Sequence, residues 1–249
     1  MNKPWDLKTE EERLIDNIYT FLIFCEDETS EIEYFKWFET NDIKINVIPK
    51  QRSMITNVIK AITHCKNSGI IDGENNVVDG YEVWCVYDRD KDLNSSGLLE
   101  NNNNFNVAHF VAENHKINLA WSNDAFELWI LLHLMEIDVK DEDFKIRENY
   151  YNILDSFFKS HQNPNERLVK ILGYPTFSYK KDLKHRKNFI EIVREEILPH
   201  TQKAITNAEK MLRYHKEQTQ NYDEWAPCTL VHLLVVRLLE KGKKELPVN

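Results

Sequence analysis

Three short runs rich in aromatic and β-branched residues, 19–25 (YTFLIFC), 43–48 (IKINVI) and 81–87 (YEVWCVY), alternate with stretches of helical periodicity. That alternation constrains the fold more than any other feature of the chain. The first run has no polar face, as expected of a strand buried on both sides. After it, Ser30-x-x-Glu33 has capping-box spacing, and Ile32, Phe35 and Phe38 follow at helical intervals. IKINVI stops at Pro49. A second helical stripe, Met54, Val58, Ile59 and Ile62, occupies 53–66, and a polar loop over 69–80 leads to the third strand. The stretch 94–116 contains the run Asn101 to Asn104, yet Val107, Phe110 and Val111 predict a helix at its end. A fourth strand is expected at 117–121 (INLAW) and an apolar helix at 125–135 (AFELWILLHLM).

This β-α order, four times repeated, predicts a parallel four-stranded sheet flanked by helices, joined by right-handed crossovers: a Rossmann-like α/β domain over 1–139. Beyond about residue 141 no strand is expected. Helical patterns at 189–198, 201–214 and 229–239 predict a C-terminal helical extension over 140–249, packed on the first domain. With 249 residues, 42% of them hydrophobic, the chain can bury a real core. No run of 18 apolar residues occurs, so no membrane span is expected, and the charged start MNKPWDLKTEEERLID lacks the apolar segment of a signal peptide. The expected location is cytoplasmic. Cys25, Cys65, Cys85 and Cys228 form no C-x-x-C pair and read as reduced, small apolar residues. His64, His133 and His232 are expected to pack rather than ligate, and Trp121, Phe126 and Trp129 to lie in the core.

The chemistry is suggested by where the acids fall. Glu26 directly follows the first strand, and Asp88 and Asp90 directly follow the third. In open parallel sheets the functional crevice lies at the carboxyl ends of strands. If the two strands are neighbours, three carboxylates converge there and repel unless a cation neutralises them. An all-oxygen donor set favours Mg²⁺ or Mn²⁺, ions that support phosphodiester cleavage. The competing readings are ordinary: D-x-D is common in turns, and Glu26-Asp27-Glu28 suits a helix N-terminus. The net charge of −9 is unusual for a nucleic-acid binder. Its distribution is uneven: residues 1–139 hold 12 Lys and Arg against 25 Asp and Glu, a balance of −13, while 140–249 hold 20 against 16, a balance of +4. The basic strip Lys180, Lys181, Lys184, Arg186 and Lys187 reads as a phosphate-contacting surface, with Lys180 a candidate for transition-state stabilisation; the alternative is a solvated helix start. No G-x-x-x-x-G-K-[ST] occurs, and Gly242-Lys243 lacks that context, so any ATP dependence would come from a partner.

The segments FLIFCEDETSEIEYF (21–35), VWCVYDRDK (83–91), AWSNDAFELWILLHL (120–134), Tyr179-Lys180 and APCTLVHLLVVRLL (226–239) resemble the RloB family, a relative of Toprim-fold nucleases. The resemblance implies a Toprim-like core with Glu26 as the motif's acid, Asp88 and Asp90 as its D-x-D, and Glu127 as a further site member. It also implies an antiphage role, often beside a separate ATPase. For Glu127 a capping box with Asp124 is the competing reading. The chain has Asp27, Asp124 and Ala226 where the family usually has Gly, Pro and Asn. Together these readings predict a metal-dependent nuclease in antiphage defence, with RNA, perhaps as tRNA, slightly favoured by analogy with a related ATPase–Toprim defence system. The alternatives are a DNA endonuclease or nickase, and a non-catalytic regulatory subunit of an ATPase complex. A homo-oligomer is compatible with the sequence, which does not specify one.

Overall fold

The computed structural model of the chain describes residues 18–51, 54–89 and 95–247; Asp90 lies outside them. The strands form where the apolar runs predict: β1 (Tyr19–Cys25), β2 (Ile43–Ile48) and β3 (Tyr81–Val86). Between them lie helices α1 (Ser30–Lys36) and α2 (Met54–Asn67), and α3 (Ser95–Asn114) follows β3. The fourth strand, β4 (Asn118–Leu119), is shorter than the sequence suggests. All four are parallel, in the order β2-β1-β3-β4, which gives a Rossmann-like α/β sheet. β1, the most apolar strand, is interior to the sheet and pairs on both sides, and Phe21, Ile23 and Cys25 are fully buried.

The run INLAW does not stay in one sheet. Past β4 the chain continues beside β3: Ala120 and Ser122 donate from their amides to the carbonyls of Cys85 and Tyr87, and the Arg89 amide donates to the Ser122 carbonyl. It then turns away as β5 (Ser122–Asn123), which pairs antiparallel with β6 (Cys228–Thr229). β6 corrects the expectation of no strand beyond 141. It is only two residues long, too short to leave an alternating pattern. Helices α4 (Glu127–Leu134), α5 (Arg147–Lys159), α6 (Glu166–Leu172), α7 (Thr201–Gln218) and α8 (Val231–Gly242) follow, and the helix expected at 189–198 is a run of α, π and 3-10 turns over 186–200 that leads into α7. The residues after 140 pack into the same core: α7 lies on α4 and α8, and β6 closes on β5.

Trp121, Phe126 and Trp129 are buried in that core, and all four cysteines are buried free thiols. His133 is fully buried between the Tyr34 hydroxyl (3.2 Å) and the Trp129 carbonyl (2.9 Å), and burial pushes its pKa down to about 3. Gly242 ends α8 against Ile43, and Lys243 takes a left-handed backbone; this is a helix terminus, not a phosphate loop. Among the described residues no helix is long and apolar enough to cross a membrane.

Candidate active site at the carboxyl ends of β1 and β3

The parallel register places Cys25 beside Val86, so the residues that leave the two strands emerge side by side. Buried Asn57 of α2 fixes that juncture. Its amide nitrogen donates to the carbonyls of Phe24 (3.2 Å) and Val86 (3.1 Å), tying the ends of both strands to one side chain. Beyond the tie, a Glu26 carboxylate oxygen accepts the Asp88 backbone N–H at 3.2 Å. The sequence reading thus placed Glu26 and Asp88 together correctly, because β1 and β3 are neighbours.

The turn after Glu26 is made by Asp27. Its side chain accepts the backbone N–H groups of Glu28 (2.6 Å), Thr29 (3.3 Å) and Ser30 (3.0 Å), satisfying donors that the start of α1 leaves open. Asp27 is not among the residues with positive φ, so it holds this turn by capping rather than by left-handed geometry. The expected Ser30–Glu33 capping box does not form. The Ser30 hydroxyl makes no cap hydrogen bond, and Glu33 instead pairs with Arg186 at 2.7 Å. Glu31 reaches back to the Asp27 amide at 3.2 Å.

Glu31 is the acid that the sequence reading missed. It sits on the first turn of α1, is buried, and shares its field with Glu26 and Asp27, so burial and these neighbours push its pKa up to about 8. The signal was available: a helix that starts at the carboxyl end of a strand points its first turn at the crevice. Asp88 behaves likewise. Burial, then Glu31 and Glu127, then Glu26 raise its pKa well above the usual carboxylate range, against the lowering influence of Arg147. Among the described residues its Oδ1 is buried without a hydrogen-bond partner, and its Oδ2 is 4.0 Å from the Arg147 guanidinium.

Glu127 belongs to the same cluster. It is 1% exposed; one carboxylate oxygen lies 2.8 Å from Lys184 Nζ and the other accepts the Tyr151 hydroxyl at 3.4 Å. The N-terminus of α4 has no side-chain cap, and Asp124 pairs with Arg147 at 3.2 Å, so the alternative capping box is not the arrangement adopted. Four carboxylates, Glu26, Glu31, Asp88 and Glu127, therefore face two cations, Arg147 and Lys184.

The basic strip begins in a π-helical turn, Tyr179–Leu183, that points its members differently. Lys184, rather than Lys180, contacts an acid of the cluster. Lys180 Nζ sits over the Tyr151 ring at 4.9 Å. Lys181 is exposed, Lys187 lies 3.9 Å from Glu191, and Arg186 holds Glu33. Arg89, between the two D-x-D acids, is buried. It donates to the Asp223 carbonyl and the Asn102 side chain and lies over Phe105 at 5.1 Å, which ties the loop after β3 to α3 and to the segment before β6.

Among the described residues, no three acids approach closely enough to ligate one ion as they stand. The chemistry of the cluster nonetheless fits a hard divalent cation. The donors are all carboxylate oxygens, burial and neighbouring acids raise the pKa of Glu31 and Asp88, a penalty that a cation would relieve, and Asp88 presents a buried oxygen without a hydrogen-bond partner among the described residues.

No curated protein and no solved structure matches the chain. One family model does, that of the RloB-like protein, over residues 21–238. The match runs from within β1 to within α8 and takes in Glu26, Glu31, Asp88, Glu127 and Lys184. The chain is a member of the RloB-like protein family.

Proposed function

We propose that the chain is a Mg²⁺- or Mn²⁺-dependent nuclease with a Toprim-like catalytic core, acting in antiphage defence. RNA, with tRNA the class suggested by analogy, is slightly favoured over DNA. The observation that carries this reading is the meeting of Glu26 and Asp88 at adjacent strand ends, backed by Glu31 and Glu127, with an Asp88 oxygen that has no hydrogen-bond partner among the described residues. Glu26, Asp88 and Glu127 would hold the ion, Asp90 follows by sequence, and Glu31 lies close enough in the field to join them. A bound divalent ion supplies charge stabilisation at the scissile phosphate and lowers the pKa of water. The chain's own part is to hold the acids in a crevice where burial strengthens their attraction for a cation. Lys184 and Arg147 flank the acids and can shift to phosphate oxygens when the ion takes over neutralisation. Lys180 and the exposed Lys181 and Lys187 are placed to meet the nucleic-acid backbone outside the crevice, and Arg186 borders them.

The test is cleavage of end-labelled RNA and of nicked and intact DNA by the purified chain with Mn²⁺ or Mg²⁺, compared with Asp88→Ala. The expected result is metal-dependent cleavage in the wild type, with RNA the better substrate, and none in the variant. Undiminished cleavage by D88A, or full activity in excess EDTA, would falsify the reading.

A further inference from the structure

Lys184 already holds the carboxylate that a divalent ion would need to share. Its ammonium lies 2.8 Å from one Glu127 oxygen, while the other accepts the Tyr151 hydroxyl at 3.4 Å. Glu127 is enclosed, but 30% of the Lys184 side chain is open to solvent. Among the described residues Lys184 pairs with no other acid. Burial opposes its charge, yet Glu127 outweighs that penalty and holds the lysine pKa above its usual value, so the ammonium is charged at neutral pH.

The second cation of the cluster is anchored differently. Arg147 donates to the carbonyl (2.8 Å) and the carboxylate (3.2 Å) of Asp124, and stands 4.0 Å from Asp88. It can keep its place whatever neutralises Asp88. Lys184 has Glu127 as its one acid partner. The backbone that leads to it is fixed: the Ser178 hydroxyl accepts the Lys181 N–H, Leu183 is buried, and Asn188 donates to the Asp182 carbonyl. What can move is the four-carbon stem, and it moves into solvent. Glu127 cannot serve the ammonium and a divalent ion together, because two cations would then stand within a few ångströms of each other where burial weakens screening. The arrangement of the acids agrees with this: among the described residues no three approach one point, and Glu127 is engaged by Lys184.

We infer that Lys184 is a tethered counter-cation that competes with the divalent ion for Glu127, so that the ion gains this ligand only as the lysine leaves it. The inference rests on the reading of the acids as a metal site. Its consequence is regulatory. Lys184 keeps metal affinity low in the resting chain, and a substrate phosphate that accepts the displaced ammonium raises it.

The test is calorimetric titration of Mn²⁺ into the full wild-type chain, Lys184→Met and Lys170→Met, at one pH and ionic strength. Methionine keeps an apolar stem and removes the ammonium. Lys170 is exposed on α6 without an ion pair among the described residues, so its substitution makes the same change in net charge away from the acids. Lys184→Met should bind Mn²⁺ roughly tenfold more tightly than the wild type, and Lys170→Met within about twofold of it. In a Glu127→Gln background the gain from Lys184→Met should vanish. Mn²⁺ should also raise the thermal midpoint of Lys184→Met by more than that of the wild type. If Lys184→Met does not fold, Lys184→Gln, which keeps a hydrogen-bond donor for Glu127, carries the same expectation. Equal or weaker binding by the Lys184 variant, beside a wild type that binds, would overturn the inference and leave the metal site standing. An equal gain in Lys170→Met, or a gain that survives Glu127→Gln, would overturn it as a bulk effect of charge. Absence of Mn²⁺ binding in every protein would overturn the metal reading and this inference together.

Discussion

Asp88 and Glu31 share a crevice in which burial and neighbouring acids make both harder to ionise. The consequence for stability follows from the sign of the shift. Glu31 has an ordinary carboxyl pKa of 4.5 when unfolded and about 8 when folded. Below pH 4.5 both states bind the proton and nothing is lost. As pH rises toward 8 the unfolded chain gives up its proton first, so stability falls across that window. Asp88 is shifted in the same direction. In EDTA, the thermal midpoint should therefore decline from about pH 4.5 to about pH 8, and Glu31→Gln should flatten much of the decline. A midpoint that rises over this range, or a slope untouched by the substitution, would contradict the account. Glu127 offers a different test. Glu127→Gln removes the charge that faces partly buried Lys184, so the variant should lose about 1–3 kcal/mol of stability. It should also lose on the order of 10²-fold in cleavage rate. Near-normal cleavage by a folded variant would remove Glu127 from the catalytic machinery.

At the scale of elements, the site depends on how two strand ends are held and how one helical turn presents its lysines. Asn57→Leu should cost about 1–3 kcal/mol, because two buried carbonyls lose a donor. It should also reduce cleavage, since Glu26 and Asp88 each lie two residues beyond a carbonyl that it ties. A stability loss without any change in activity would reduce Asn57 to a packing role. In the strip, neutralising exposed Lys181 and Lys187 together should weaken nucleic-acid binding and lower its salt slope by about 2, one per phosphate contact. An unchanged slope in a filter-binding series would refute their role.

The parts of this arrangement that were legible beforehand are those written as local patterns. β1, β2 and β3 announced themselves as apolar runs, and Glu26 and Asp88 were read correctly as neighbours at their ends. The missed parts depend on tertiary geometry. Asn57 looks like an ordinary polar residue on a helix until two carbonyls are seen to converge on it. Glu31 was passed over because Glu33 fitted a cap pattern, yet Asp27 makes the cap. Lys180 drew attention as part of a motif, but the π-helical turn carries Lys184 to Glu127 instead. The asparagine run over 101–104 obscured α3, whose buried face is written in small residues and one phenylalanine.

At the scale of the whole molecule, the acidic carboxyl end of the sheet holds the proposed chemistry while the more basic second part of the chain packs against it. The sequence holds no G-x-x-x-x-G-K-[ST], and we propose that a separate ATPase partner gates its activity, as the family resemblance implies. The purified chain alone should then turn over slowly, and vigorous turnover without a partner would count against gating. The account as a whole rests on the acid cluster being a metal site. The most direct measurement is calorimetric titration of Mn²⁺ into the full wild-type chain and into Asp88→Asn near neutral pH, in two buffers of different ionisation enthalpy. The wild type should bind the ion and release protons, because Glu31, with its pKa raised to about 8, holds a proton that the cation displaces, and the variant should bind at least tenfold more weakly. Equal affinity in the two proteins, or no binding by the wild type, would contradict it.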